Sequence, residues 1–178
     1  MKLKTLAVSL ILASGLGLAG ATQAEGKIYV GAKVGLADAD ISGASSDYSH
    51  VVGVYGGYIM LGKNGHYAAD LKGGSLAIEG EVLMTLLKGD AGAGKWDMNS
   101  LGVFGAYRHP FTDTFYVKGK AGLVRYDVDS TAGTADSGTS LAIGAGAGWK
   151  VGPGNLEVEL TSYEGNVLLI TGGFHMNF

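Results

Sequence analysis

The chain of 178 residues contains 32 glycines, two prolines and no cysteine. So much glycine excludes a mainly helical domain, because each glycine inside a helix costs about 1 kcal/mol relative to alanine. The lack of cysteine excludes a cysteine nucleophile and a thiolate metal site. Acidic residues outnumber basic ones by 16 to 13, and no basic cluster occurs, which argues against nucleic acid as a partner.

The N-terminus has the pattern of a secretory signal peptide. Lys2 and Lys4 precede an uncharged apolar stretch, and small residues lead up to Ala24. The stretch is too short to span a membrane comfortably, since a spanning helix needs about 20 residues. We therefore predict a signal peptide over residues 1–24, cleaved near Ala24, and one domain over residues 25–178.

From residue 27 onward, apolar residues recur at every second position, which is the period of a β-strand with two different faces. An even number of strands places both chain ends on one side. The connections 109–113 and 151–155 are short, whereas 38–49, 89–95 and 127–139 are longer and polar, as in transmembrane barrels. Two connections depart from this plan: residues 61–75 are long for a periplasmic turn, and residues 164–166 are short for an outer loop. Eight strands are predicted, at residues 27–37, 52–58, 76–86, 101–108, 115–123, 141–150, 156–161 and 168–178.

One face of each predicted strand is apolar and uncharged, and the other mixes glycine with charged residues. Alternation alone also fits a soluble β-sandwich, but glycine weakens a strand and gains nothing on a water-facing surface. The narrow interior of an eight-stranded barrel, by contrast, has little room beside its larger side chains. We therefore predict an all-β fold, an eight-stranded antiparallel up-and-down transmembrane β-barrel with its apolar face toward lipid. Four aromatic residues are predicted to form a girdle at the periplasmic rim: Tyr58, Tyr107, Phe115 and Trp149.

The mixed face also carries nine charged residues, five basic and four acidic. Unpaired charges in a narrow dry interior would be very costly, so these side chains are predicted to pair inside the barrel. The predicted luminal charge network consists of Lys33, Glu79, Glu81, Arg108, Lys118, Lys120, Lys150, Glu157 and Glu159.

Four segments carry a resemblance to a known family: residues 53–58 (GVYGGY), 101–108 (LGVFGAYR), 116–123 (YVKGKAGL) and the ending 173–178 (GFHMNF). In their order, and with the terminal phenylalanine, the chain resembles the outer membrane β-barrel family that includes the OmpA transmembrane domain and OmpX-like proteins. The resemblance implies the outer membrane of a Gram-negative cell, with its lipid and lipopolysaccharide as partners. It also implies that the barrel-assembly machinery reads a C-terminal signal made of Ile170, Phe174, Met176 and Phe178.

Other motifs point to no catalytic, cofactor or metal site. Residues 89–95 fit the start of a phosphate-binding loop, but Trp96 replaces the Mg²⁺-binding Ser or Thr and no helix follows, so an outer loop is predicted. The histidines lack metal-ligand spacing, and His175 is predicted to be a hydrogen-bonded interior residue. A structural or surface-interaction role, in adhesion or envelope integrity, is therefore predicted. A small low-conductance pore, a lipid A-modifying enzyme and an unidentified ligand of the outer loops stay open.

Overall fold

The computed structural model describes residues 28–39, 47–62, 73–92, 94–131, 136–164 and 167–178. The predicted signal peptide lies outside these residues. Within them, no helix is long and apolar enough to cross a membrane. The strands are β1 (Ile28–Ala39), β2 (Ser49–Gly62), β3 (Ser75–Leu87), β4 (Gly89–Ala91), β5 (Gly94–Pro110), β6 (Phe115–Ser130), β7 (Asp136–Val151), β8 (Gly154–Tyr163) and β9 (Val167–Asn177).

The strands close into one barrel. Every pairing is antiparallel, β3 pairs with β5, and β1 pairs with β9. The short β4 only continues β3 along β5, so the barrel wall has eight long strands, as predicted. The Phe178 amide donates to the Ile28 carbonyl at 2.7 Å across the closing seam. We call the end that holds this seam the terminal side, and the opposite end the loop side.

The predicted assignment of the two faces is confirmed along the strands. Outward residues such as Val103 and Ile143 are 58% and 66% exposed, whereas Glu79 and Lys118 on the other face are 0% and 3% exposed. Glycines follow the same division. A Cβ added at Gly119, which faces outward, would meet nothing within 4 Å. At these glycines of the inner face it would lie under 3.0 Å from another atom: Gly31, Gly35, Gly53, Gly57, Gly102, Gly122, Gly144, Gly146 and Gly148.

Two predicted loops are wrong in extent. Residues 89–95 contain β4 and the start of β5, and most of residues 127–139 belong to β6 and β7. Pairing continues out to Trp96 opposite Ser130 and to Val128 opposite Asp136. The wall on this part of the barrel is therefore taller than the sequence periodicity indicated. Most of the long connection 61–75 lies outside the described residues, as does most of 164–166.

The outward face of β7 gives the height of the apolar band. Apolar residues run from Leu141 to Trp149, and the polar Thr139 and Ser137 follow toward the loop side. The eight steps from Leu141 to Trp149 cover about 27 Å along the strand, and a strand tilt of about 40° reduces this to a height of about 20 Å. That height is close to the apolar band of about 25 Å in transmembrane barrels.

Substitution on β7 tests this placement. Ile143→Lys is expected to lower the free energy of unfolding by about 2–4 kcal/mol, because it puts a charge in the hydrocarbon region. Thr139→Lys, on the same strand and face but beyond the apolar band, is expected to cost about 0–1 kcal/mol. Denaturant titration of barrels refolded into lipid vesicles measures both losses. Equal tolerance at the two positions would contradict the lipid-facing assignment.

Candidate functional site in the barrel interior

Four of the predicted luminal residues form an alternating ring of charges near the terminal side. Arg108 contacts Glu79 at 3.0 Å and Glu157 at 2.9 Å. Lys118 contacts the same two carboxylates at 2.8 Å and 3.2 Å. Each charge in this terminal-side ring therefore has two neighbours of opposite sign.

A second ring of the same design lies next to it, toward the loop side. Lys33 contacts Glu81 at 2.6 Å and Glu159 at 3.1 Å. Lys120 contacts these carboxylates at 2.9 Å and 2.6 Å. Lys118 links this central ring to the first one, because its ammonium group also lies 2.8 Å from Glu159.

The rings owe their geometry to the two-residue period of the strands. Glu79 and Glu81 are successive inward positions of β3, as Lys118 and Lys120 are of β6 and Glu157 and Glu159 are of β8. Successive inward residues on one strand lie about 7 Å apart, so each of these three strands supplies one charge to each ring.

The charges in the two rings balance, with four cations and four carboxylates. Burying such groups costs several kcal/mol per ion, and the cost is offset only when geometry is good and the remaining hydrogen bonds are made. Tyrosines supply further donors: Tyr29 to Glu79 at 2.8 Å and Tyr116 to Glu157 at 2.8 Å. The Lys33 ammonium also lies 4.4 Å from the centre of the Tyr55 ring, which favours the cation.

Lys150 was predicted in the network, but the structure places it elsewhere. Its side chain is exposed, and none of the ion pairs among the described residues includes it. The reason is its place at the end of β7, where the interior opens to the terminal side. Without Lys150, the network holds four cations and four carboxylates, instead of the predicted five cations and four carboxylates.

Sequence reasoning missed an apolar layer that fills the interior between the central ring and the loop side. Phe104 lies at its base, with the Lys120 ammonium 4.3 Å from the ring centre. Trp96 and Met98 lie at its top and are 0% exposed. The loop-side apolar cluster consists of Ala37, Ala39, Val51, Leu83, Ala91, Trp96, Met98, Phe104, Val124, Tyr126, Val128, Ala142, Tyr163, Val167 and Leu169.

Outside this cluster the wall is polar. Asn99, Arg125 and Thr139 follow the last outward leucines of β5, β6 and β7. The polarity of the wall therefore inverts at this level. Toward the terminal side, the outer face is apolar and the interior is charged. Toward the loop side, the outer face is polar and the interior is apolar. Lys88, between β3 and β4, is exposed at this level and donates a hydrogen bond to the buried Asp97 carboxylate, which raises the pKa of Lys88.

A comparison with protein families identifies the fold. The model of the outer membrane protein β-barrel domain matches residues 6–167. The chain belongs to this family. No curated protein matches it in sequence.

Solved outer membrane barrels share the architecture. Neisserial surface protein A aligns with a TM-score of 0.58 at 16% identity, over 85% of this chain and 97% of that chain. OprG from Pseudomonas aeruginosa gives 0.56 at 11% identity, over 86% and 98%. Ail, the attachment invasion locus protein of Yersinia pestis, gives 0.53 at 15% identity, over 86% and 97%. At these identities the likeness shows the fold alone.

The predicted aromatic girdle of this outer membrane barrel lies on the outer face at the terminal side. Tyr58, Tyr107 and Trp149 are exposed, and the Phe115 ring lies 5.3 Å from that of Trp149. Phe111, which was not predicted, extends the group, since its ring lies 6.2 Å from that of Phe115.

The proposed C-terminal signal residues share one face. Ile170, Phe174 and Met176 are exposed on the outer side of β9, in phase with Phe178 at the closing seam. This placement makes their side chains accessible from outside the barrel. The residues lie on this face in the folded barrel, whatever route its assembly takes.

The remaining candidate, His175, lies inside the barrel. It is 3% exposed, and its Nδ1 atom lies 2.9 Å from the Tyr55 hydroxyl, so it has the hydrogen-bonded environment expected of a structural histidine. Among the described residues, no group of three His, Cys, Asp or Glu side chains could hold a metal ion.

Proposed function

We propose that the protein is a non-enzymatic outer membrane barrel with a closed lumen, which acts through its wall and its loop-side surface. The two stacked rings carry this proposal. Eight charged side chains from five strands meet across the interior, and every ring cation is at most 11% exposed. If a water-filled path ran through the lumen, these charged side chains would be exposed to solvent.

The loop-side apolar cluster supports closure independently. A layer that includes Trp96, Met98 and Leu83, each at most 1% exposed, fills the interior with large apolar side chains, and the hydroxyls of Ser100 and Tyr163 among them bond to each other at 3.2 Å. Ions would have to cross both this layer and the rings. The lumen is thus closed by two layers of opposite chemistry.

The orientation follows the plan of outer membrane barrels, with short turns in the periplasm and the opposite ends outside the cell. On this basis the terminal side faces the periplasm. The polar outer wall of β5 to β7 then rises beyond the lipid, where it is available to lipopolysaccharide or to a surface ligand. A structural or surface-interaction role uses this surface and needs no open lumen.

Liposome swelling tests the proposal. Vesicles that contain the refolded protein are transferred to isotonic arabinose, with a general porin as the positive control. We expect no swelling above that of protein-free vesicles, because neither layer leaves a path for a sugar. Swelling that increases with the amount of protein would reject closure and favour the small-pore function.

We further propose that the barrel-assembly machinery recognises Phe178 during assembly in cells. Phe178→Ala keeps the backbone hydrogen bonds to Ile28 and removes only the ring, so it is cleaner than deletion of the residue. We expect the amount of folded barrel in cells to fall several-fold, while refolding in detergent stays near that of the wild type. Leu168→Ala, on the same outer face of β9 but outside the proposed signal, is the control. An equal fall in cells and in detergent would show a structural effect only.

A further inference from the structure

A cavity of about 530 Å³ opens at the terminal side, below the terminal-side ring. Its wall includes Tyr29, Arg108 and Tyr116 from the interior and Lys150 and Asn155 near the rim. Sites for small molecules measure roughly 300–1,000 Å³. The cavity therefore has room for more than a simple ion, and its wall is rich in hydrogen-bond donors.

The guanidinium of Arg108 faces this cavity, whereas its carboxylate partners do not. Arg108 is 11% exposed and lines the cavity, while Glu79 and Glu157 are 0% and 4% exposed and lie behind it. A guanidinium has five N–H donors. Three are used, by Glu157, Tyr29 and Glu79. Tyr116 on the cavity wall takes a fourth, so at least one donor remains for a ligand.

Lys150 is a second cation on the cavity wall. It is exposed, takes part in none of the ion pairs among the described residues, and stands next to Asn155 on the neighbouring strand. One carboxylate, Asp113, also lines the cavity. The cavity lining thus holds two cations and one anion, and of the two cations only Arg108 is paired with carboxylates in the ion pairs of the described residues.

We propose that the cavity binds the anionic oxygen group of a small polar molecule about the size of a monosaccharide. The anionic group contacts Lys150 and a remaining donor of Arg108, and the rest of the molecule contacts Asn155 and the tyrosine hydroxyls. Charge-assisted hydrogen bonds of this kind are about twice as strong as neutral ones. The site opens to the side that holds both chain ends, and it does not require the lumen to conduct.

Binding of glucose 6-phosphate to the refolded full-length barrel tests the site, measured by calorimetry in detergent at low salt. Glucose is the neutral control of matching shape, and inorganic phosphate shows what the anion binds alone. We expect saturable binding of glucose 6-phosphate, weaker binding of phosphate and none of glucose. Lys150→Gln should weaken glucose 6-phosphate about fivefold or more, because one charge-assisted contact is lost.

Lys95→Gln is the matched control, since Lys95 is an exposed lysine on the loop side that pairs with Asp90. It should leave the affinity unchanged. Comparable binding of glucose, an equal loss in both lysine variants, or no saturable binding by the wild type would each overturn the proposal. Lys150 lies outside both charge rings, so Lys150→Gln leaves the closure of the lumen intact.

Discussion

Lys118→Ala is expected to lower the free energy of unfolding by about 3–5 kcal/mol, because it leaves buried carboxylates without compensation. Lys118 belongs to the terminal-side ring and also contacts Glu159 of the central ring. Its removal leaves four carboxylates against three cations in the interior. Denaturant titration of the refolded barrel in lipid vesicles measures the loss.

The matched control is another lysine in an ion pair, but at the surface. Lys95 lies 2.9 Å from Asp90, and the two side chains are 60% and 64% exposed. Exposed pairs of this kind contribute about 0–1 kcal/mol, so Lys95→Ala should change stability little. If Lys118→Ala cost no more than Lys95→Ala, the interior would be wet, and the rings would not close the lumen.

Trp96→Ala is expected to cost about 3–5 kcal/mol as well, because a large buried side chain leaves a cavity behind. Trp96 is 0% exposed in the loop-side apolar cluster, and its Nε1 donates to the Asp47 carbonyl at 2.8 Å. Its loss removes both the packing and this hydrogen bond. Denaturant titration and reduced protection of the nearby amides against hydrogen exchange would report the change.

Trp149 provides the comparison, because it is the other of the chain's two tryptophans. It is 44% exposed on the outer face, where lipid can occupy the space of a missing ring. Trp149→Ala should therefore cost clearly less than Trp96→Ala. Similar losses would show that the loop-side interior is not a packed apolar layer.

The barrel could be predicted from the sequence because the two-residue period holds through every spanning segment. The glycines of the inner face identified the interior, since a Cβ at Gly122 would run into the backbone of β5 whereas one at Gly119 would meet nothing. The same alternation predicted which charged residues face the interior and form the rings. Lys150 also falls on the inward positions of its strand. The alternation predicts the face on which a residue lies, but not the height along the barrel at which the interior opens.

The extension of β5, β6 and β7 beyond the apolar band could not be predicted from the same pattern. On β5, the outward, odd positions from Leu101 to Tyr107 are apolar or glycine, whereas over residues 96–99 the odd positions are polar and the apolar Trp96 and Met98 take even positions. Such a change of phase in a continuous strand resembles the end of the strand. Its physical cause is the change of surroundings: beyond the lipid, the outer face meets water, and the apolar residues turn inward. Val124, beside Leu123 on β6, marks the same change.

The current through planar lipid bilayers tests the closed lumen most directly, in the wild type, Lys118→Ala, Trp96→Ala and the double variant. We predict no stable channels in the wild type and none in either single variant, because each keeps one intact layer. The double variant should open small, short-lived conductances. Stable, large channels in the wild type would contradict the closed barrel and make a pore its function.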